Sequence, residues 1–533
     1  MLPRAGGDGR TVNLVATDEP PDLRSGLSTV TVGTLFLLIA TLVLVGFTFL
    51  SRVLIIRSVS QASWTAFSLG YTVTGVLLAV GTSAFGVAAA RSLPYARTEP
   101  ERRTIVRTTL VLGGSAAVAC GVGLFLAAPV VSRALASPEL GSGLGFFAVA
   151  TACMIVATVI ASIFQGFANV TPNALIVQMI NPGLFVALLA AAYALPGHRL
   201  TYPNALVAYA VAAVGALVVS LAYTARRLPA GLLRGTGDRA ARGKLLPLYA
   251  PLFVYGTMVS VAGSGDTLVL SAFHYAQVGT YTASLTLARL VQIGIGAASY
   301  IFLPVASGFL ARGNRRAVGL TYATVTKWLT LFSLPLFVIF VFLPSPSLRF
   351  VYGASYAQVV LPLQVVVAGA FVGTLLGPAA MAQVATGQTR LLAVNAAIAG
   401  AVDLGLAFTF TPRYGEVGAA VAWSVANVLY GSLCLAQISL TERYHPFGRD
   451  FLVPLLVTAV PIAAVLGLVR PSLPLVLLPV LAVGVAVLYV VVVLVTRSID
   501  EGDRLLLGAV ERLLGRPLPL VRRLARLLAP RSV

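Results

Sequence analysis

This sequence is poor in the residues that soluble enzymes use. Of its 533 residues only 10% are Asp, Glu, Lys or Arg, and cysteine, histidine and tryptophan occur three times each. Cys120, Cys153 and Cys434 all fall inside apolar runs, with no CxxC spacing and no adjacent histidine or carboxylate to complete a metal site. His198 and His274 lie at the ends of apolar runs and His445 in a polar loop, so no HExxH pair exists. A GxxxxGK[ST] phosphate loop is missing as well, so the chain does not hydrolyse ATP. The acids expected to face outward, Glu139 and Glu416, stand alone, which leaves paired-carboxylate chemistry without candidates. No catalytic site, metal or cofactor is expected.

Apolar sequence dominates: 58% of the residues are hydrophobic and the mean hydropathy is +0.93, far above soluble domains. A helix needs about 20 apolar residues to cross the hydrocarbon with its backbone satisfied internally, and roughly fourteen runs qualify. The expected spans are 28–50, 66–90, 106–130, 143–165, 173–195 and 204–225, then 246–271, 278–304, 319–343, 360–384, 391–411 and 416–438, then 451–469 and 474–496.

The chain also repeats itself. Ala205–Val214, ALVAYAVAAV, returns at Ala419–Val428 as AAVAWSVANV, and Ser63-Trp64-Thr65-Ala66 is echoed by Thr280-Tyr281-Thr282-Ala283. An internal copy about 215 residues long in a polytopic membrane protein is how two-lobed transporters are built around a central pathway. The expected fold class is therefore an all-α polytopic membrane protein of about 14 transmembrane helices, in two pseudo-symmetric six-helix lobes plus two C-terminal helices. Its expected parts are a disordered leader 1–27, an N-lobe 28–225, a basic linker 226–245, a C-lobe 246–438, the last two spans within 451–496 and a basic tail 499–533.

Alternating the spans places one strongly basic set of loops on one side: Arg91, Arg97, Arg102, Arg103 and Arg107, then Arg226 to Lys244, then Arg312, Arg315 and Arg316. The positive-inside rule makes that side cytoplasmic, with both termini, in a multi-pass protein of the cytoplasmic (plasma) membrane. An even count is required, which fourteen satisfies and twelve would too. The net charge of +20 follows membrane side rather than one soluble patch, so nucleic acid is not an expected partner. In the tail, Leu505, Leu506, Leu513 and Leu514 lie opposite Arg512 and Arg516, which fits a helix on an anionic leaflet and equally a topology-setting basic tail.

Charges inside the hydrocarbon cost at least about 2.5 kcal/mol each, so the few present are the candidate sites. Asp266 and Arg289 fall on the two arms of one tight hairpin, placed to pair. Either Arg289 faces a polar cavity and attracts an anion while Asp266 orients it, or the two form a buried ion pair that fixes hairpin register. Lys327, with Trp328 beside it, is a substrate candidate or a side chain that snorkels to the interface. Asp403, two turns after Asn395, is a candidate for ion or proton coupling or an interhelical contact. Arg52 and Arg57, just after the first span, are placed to guide an anionic head group or simply to be solvated. Gln165, Asn173, Gln178 and Asn181 surround a helix interruption at Asn181-Pro182-Gly183, where polar residues line a pathway or pack between helices.

Several motifs carry a family resemblance. Gly265-Asp266-Thr267-Leu268-Val269-Leu270, Val278-Gly279-Thr280-Tyr281-Thr282-Ala283 and Leu287-Ala288-Arg289-Leu290 resemble the seventh and eighth helices of polysaccharide flippases in the multidrug/oligosaccharidyl-lipid/polysaccharide (MOP) exporter superfamily. Ala385-Thr386-Gly387-Gln388-Thr389-Arg390, Asn395 and Tyr414-Gly415-Glu416-Val417-Gly418-Ala419-Ala420 resemble its tenth to twelfth helices. The resemblance spans about residues 28–496 and implies a Wzx-like flippase. Such a protein moves an oligosaccharide on a polyprenyl or dolichyl phosphate or pyrophosphate from the cytoplasmic to the outer leaflet, by alternating access, for cell-surface polysaccharide or glycoprotein assembly. It implies the lipid-linked glycan and membrane lipids as partners, with glycan polymerases or transferases alongside, and it transfers the phosphate-binding role to Arg289. A cation-coupled drug exporter of the multidrug and toxin extrusion (MATE) branch shares the fold, but resemblance to it would call for an acid inside the first lobe, and none is there. A lipid-linked peptidoglycan precursor remains an open cargo.

Overall fold

The computed structural model describes residues 23–135, 137–167, 169–194, 200–233, 263–469 and 477–496, with 243, 249, 253, 256–258, 260, 498 and 502–503 besides. Residues 1–22 of the expected leader, most of the linker, parts of the first half of the seventh span and nearly all of the tail lie outside the described residues.

Every described regular element is helical. The N-terminal half contains α1 (Leu23–Ser58), α2 (Gln61–Ser92), α3 (Glu99–Ala134), α4 (Pro138–Gly166), α5 (Asn181–Ala194) and α6 (Tyr202–Arg227). The C-terminal half contains α7 (Gly265–Phe273), α8 (Val278–Val291), α9 (Ile293–Ala311), α10 (Arg315–Phe342), α11 (Pro344–Tyr352), α12 (Val360–Leu375), α13 (Ala379–Ala385), α14 (Thr389–Tyr414) and α15 (Glu416–Glu442), followed by α16 (Arg449–Val469) and α17 (Leu477–Val495). Their starts follow local chemistry. Ser60 accepts from the Ser63 amide at the head of α2, Thr98 and Glu101 form a capping box on α3, and Asn314 accepts from the Ala317 amide on α10.

Twelve of the described helical segments are long and apolar enough to cross a membrane. The expected eighth span is not one continuous rod. It breaks at Gln292, between α8 and α9, where the backbone leaves the helical ladder. The expected tenth span bends at Gly377, whose φ of 69° suits glycine best, before α13 continues it. Between Asn173 and Ile180 the chain forms a π-helix that leads into α5, so the interruption at Asn181-Pro182-Gly183 is a change of helix type rather than a gap.

Within the N-lobe, α4 packs against α2, α3 and α6, and α5 against α1 and α6. In the C-lobe, α12 packs against α8, α10 and α15, while α14 packs against α7 and α15. The pair α16 and α17 leans on α10. Outward faces are greasy: Val111, Val118, Phe125 and Leu126 on α3 and Val480, Val483 and Val487 on α17 are exposed. Such continuous apolar faces are sealed by lipid, which makes this a multi-pass membrane protein.

The two lobes meet where α2 faces α8, and α1 touches α9. These contacts bring the two copies of the short repeat together. Trp64 of the first copy donates from Nε1 to the Gly279 carbonyl at 2.8 Å, one residue before the second copy begins. A Cβ on Gly279 would stand 2.4 Å from Thr65 Oγ1, so the close approach depends on glycine here.

Candidate functional site

The helix α1 runs eight residues beyond its expected end at residue 50, and this puts Arg52 on a helix rather than in a loop. From there it crosses to the other lobe. Its Nη1 donates to Thr286 Oγ1 on α8 at 2.6 Å, and its guanidinium carbon sits 5.2 Å from the centre of the Tyr71 ring. Arg289, one turn beyond Thr286 on α8, opens into the same space, near enough to Arg52 for the two cations to repel.

Between the lobes lies a cavity of about 180 Å³. Arg52, Tyr71 and Tyr209 line it from the N-lobe and Arg289, Thr267 and Thr282 from the C-lobe, with Ser68, Thr72 and Asn181 supplying further polar groups. None of the described residues that line it is acidic. Arg289 is accessible and lines this cavity, where a guanidinium between protein walls attracts an anion more strongly than on an open surface.

Asp266 does not pair with Arg289: no ion pair forms between them within 4 Å among the described residues, and the expected hairpin bridge is absent. Asp266 is fully buried at the start of α7 and accepts hydrogen bonds from the Tyr281 hydroxyl and from Thr267 Oγ1. Tyr281 reaches it from the first turn of α8, whereas Arg289 is eight residues, about 12 Å, further along that helix. Asp403 on α14 is the other buried acid of this region. Its Oδ2 lies 3.6 Å from the position of a Cβ on Gly265, and neither of its oxygens makes a hydrogen bond among the described residues. Asn395 is not its partner: that amide exchanges hydrogen bonds with Gln437 at 2.8 and 2.9 Å.

The remaining candidates sit elsewhere. Arg57 donates to the carbonyls of Phe350 and Val351, closing the C-terminal end of α11, where helix carbonyls lack internal partners. Lys327 neither snorkels nor enters the cavity. It is 1% exposed and donates to Asp503 at 2.5 Å and to the Ser498 carbonyl at 2.8 Å, while Trp328 Nε1 donates to the other Asp503 oxygen. Ser498 and Asp503, both beyond α17, thus offer it nearer partners than water. Gln178 accepts from Thr41 at 2.9 Å, a packing contact between α1 and the π-helical segment.

Around Arg52 the two lobes are fastened together. Besides the Trp64 bond, Ser137 and Tyr275 share a hydrogen bond of 2.9 Å between loops of opposite lobes. Burial pushes the Tyr275 phenol above its ordinary value, the Ser137 bond opposes this and Glu139 adds to it, so the group remains a neutral hydrogen-bonding partner. These bonds hold the two lobes together at this end. Sequence reasoning missed Tyr71 and Tyr209. The available signal was that Tyr209 is the one aromatic residue in its copy of the longer repeat, matched by Trp423 in the other.

Comparison with known proteins bears on the fold and the family. The family described as polysaccharide biosynthesis protein matches residues 30–310, more than half of the chain. No curated protein matches it. Among solved structures, the lipid II flippase MurJ in an inward closed conformation superposes with a TM-score of 0.66 at 14% identity, covering 86% of this chain and 97% of that one. An inward-facing multidrug resistance MATE transporter of the MOP superfamily superposes at 0.62 with 14% identity, covering 76% and 98%. An outward-facing MATE transporter superposes at 0.54 with 12% identity, covering 78% and 95%. At these identities the likeness establishes the fold, that of MOP-superfamily transporters and flippases, and the sequence match establishes the rest: the chain belongs to the polysaccharide biosynthesis protein family.

Proposed function

We propose that the protein is a flippase that carries a lipid-linked oligosaccharide, on a polyprenyl or dolichyl phosphate or pyrophosphate, from the cytoplasmic to the outer leaflet by alternating access. The observation that carries this reading is the pairing of Arg52 from one lobe with Arg289 from the other across a cavity whose described lining holds no acid. Two guanidinium groups that repel each other when the cavity is empty are stabilised by an anion between them, and their planar forks suit phosphate oxygens. The cargo's lipid tail would stay in the bilayer while its head group crosses. The closure around Trp64 and Gly279 belongs to a state open, when it opens, toward the basic loops, which the positive-inside rule assigns to the cytoplasm.

In this reading Asp403, with Asp266 beside it, is where a coupling cation or proton acts, because burying two neighbouring carboxylates is favourable only when their charge is offset. A drug cation is the poorer cargo, since both charged groups lining the cavity would repel it. Binding of a purified polyprenyl-pyrophosphate oligosaccharide tests the proposal. Wild-type protein binds it with strong salt dependence, and Arg289→Ala and Arg52→Ala each weaken it by roughly tenfold or more. Binding that is indifferent to both substitutions would overturn the assignment.

A further inference from the structure

We infer that the N-lobe wall of the cavity is a sugar subsite, in which Tyr71, Tyr209 and Asn181 hold the first, uncharged sugar of the cargo while the arginines hold its phosphate. The inference rests on the flippase reading above. Tyr71 on α2, Tyr209 on α6 and Asn181 at the head of α5 come from three helices, line one cavity and are each half-buried. Among the described residues, neither phenol oxygen and neither side-chain atom of the Asn181 amide makes a hydrogen bond to protein. Three polar groups left open beside Trp64, Phe67 and Phe185, on a wall whose Ser51, Ser68 and Thr72 hydroxyls already donate to backbone carbonyls, match a ligand with hydroxyls around its edge and an apolar C–H face.

The wall is built for the task in two respects. Tyr209 is the hub of an aromatic cluster, with ring centroids 5.4 Å from Phe147, 5.4 Å from Phe185 and 5.7 Å from Tyr71, so its position is fixed by packing alone. Its counterpart in the internal repeat, Trp423, packs against the hydrophobic core and has no phenol. The aromatic body is thus what both copies need, and the hydroxyl is particular to the copy that lines the cavity. Asn181 follows directly on the π-helical segment, a helix type that often marks functional positions.

Other occupants fit less well. A lipid tail would strip water from three hydrogen-bonding groups and return nothing. An organic cation would seek the aromatic faces, yet Arg52 already lies over Tyr71 and would repel it. The absence of any carboxylate among the described lining residues also disfavours an amino sugar with a free ammonium.

The test compares two ligands on the full-length protein in lipid nanodiscs: a polyprenyl pyrophosphate bearing one neutral hexose, and the same carrier without sugar. Wild type binds the glycosylated carrier more tightly. Tyr71→Phe with Tyr209→Phe and Asn181→Ala, which keep the ring packing, weaken the glycosylated carrier about tenfold and leave the bare carrier within about twofold. The single variant Asn181→Ala shows the same selectivity on a smaller scale, and serves if the triple variant unfolds. Equal losses for both ligands, or no loss for either, would overturn the subsite while leaving the flippase reading intact. A wild-type protein that binds the bare carrier as well as the glycosylated one would do the same. A wild-type protein that binds neither would overturn the flippase reading and the subsite with it.

Discussion

Residue identity sets the chemistry of the cavity. Arg289 is predicted to be the most sensitive position: Arg289→Ala should abolish substrate-dependent transport, and Arg289→Lys should restore it only in part, because an ammonium lacks the planar fork. Transport rates in liposomes check both. Asp403→Asn should remove the response of transport to an imposed proton or sodium gradient while leaving movement down the substrate's own gradient, read by repeating the assay with and without an ion gradient. Lys327→Ala removes a buried ion pair with Asp503, whose side chain is 9% exposed, and should cost about 3 kcal/mol of stability with little direct effect on substrate affinity, measurable as a lower unfolding midpoint. These positions differ in how far the sequence reveals them. A charge inside an apolar run is visible at once, which is why Arg289, Asp266, Lys327 and Asp403 stand out. Their partners are not visible, because Lys327 meets Asp503 across 176 residues and Arg52 meets Thr286 across 234. Tyr71 and Tyr209 look like ordinary core aromatics until the fold brings them to line one cavity.

Helix packing determines how the cavity opens and closes. α2 and α8, which carry matching copies of a short repeat, lie against each other, with Gly279 packed so tightly on Thr65 and Trp64 that it leaves no room for a Cβ. Gly279→Val would push its side chain into Thr65 and Trp64 and should part the lobes at this end. In a background lacking Cys120, Cys153 and Cys434, a cysteine introduced by Ser68→Cys in the cavity should then react faster with an impermeant maleimide added on the side of α11. Unchanged labelling would mean that this contact does not hold the closure. The repeat itself was legible in the sequence, as were the ends of most helices to within a turn or two. The break at Gln292 was not, since Gln292 and its neighbours read as one apolar run. The extension of α1 was missed for the opposite reason: Arg52 and Arg57 look like the end of a membrane span, but the helix continues because Arg52 is held by Thr286 and Tyr71, and Arg57 by the end of α11.

For the whole molecule, composition alone required a helical membrane protein, and the internal duplication pointed to two lobes around a pathway. The fold is helical, with a cavity between its two halves. What composition could not supply was the location of the charges relative to that pathway, which depends on helix rotation and not on depth in the sequence. The central claim is that this pathway carries a lipid-linked anionic glycan. The most direct measurement is translocation of a fluorescent polyprenyl-pyrophosphate oligosaccharide by the purified protein in liposomes, run beside a hydrophobic cation and a lipid-linked peptidoglycan precursor. The account predicts protein-dependent movement of the oligosaccharide that is lost in Arg289→Ala with the variant still folded. Export of the cation with no movement of any lipid-linked glycan would contradict it.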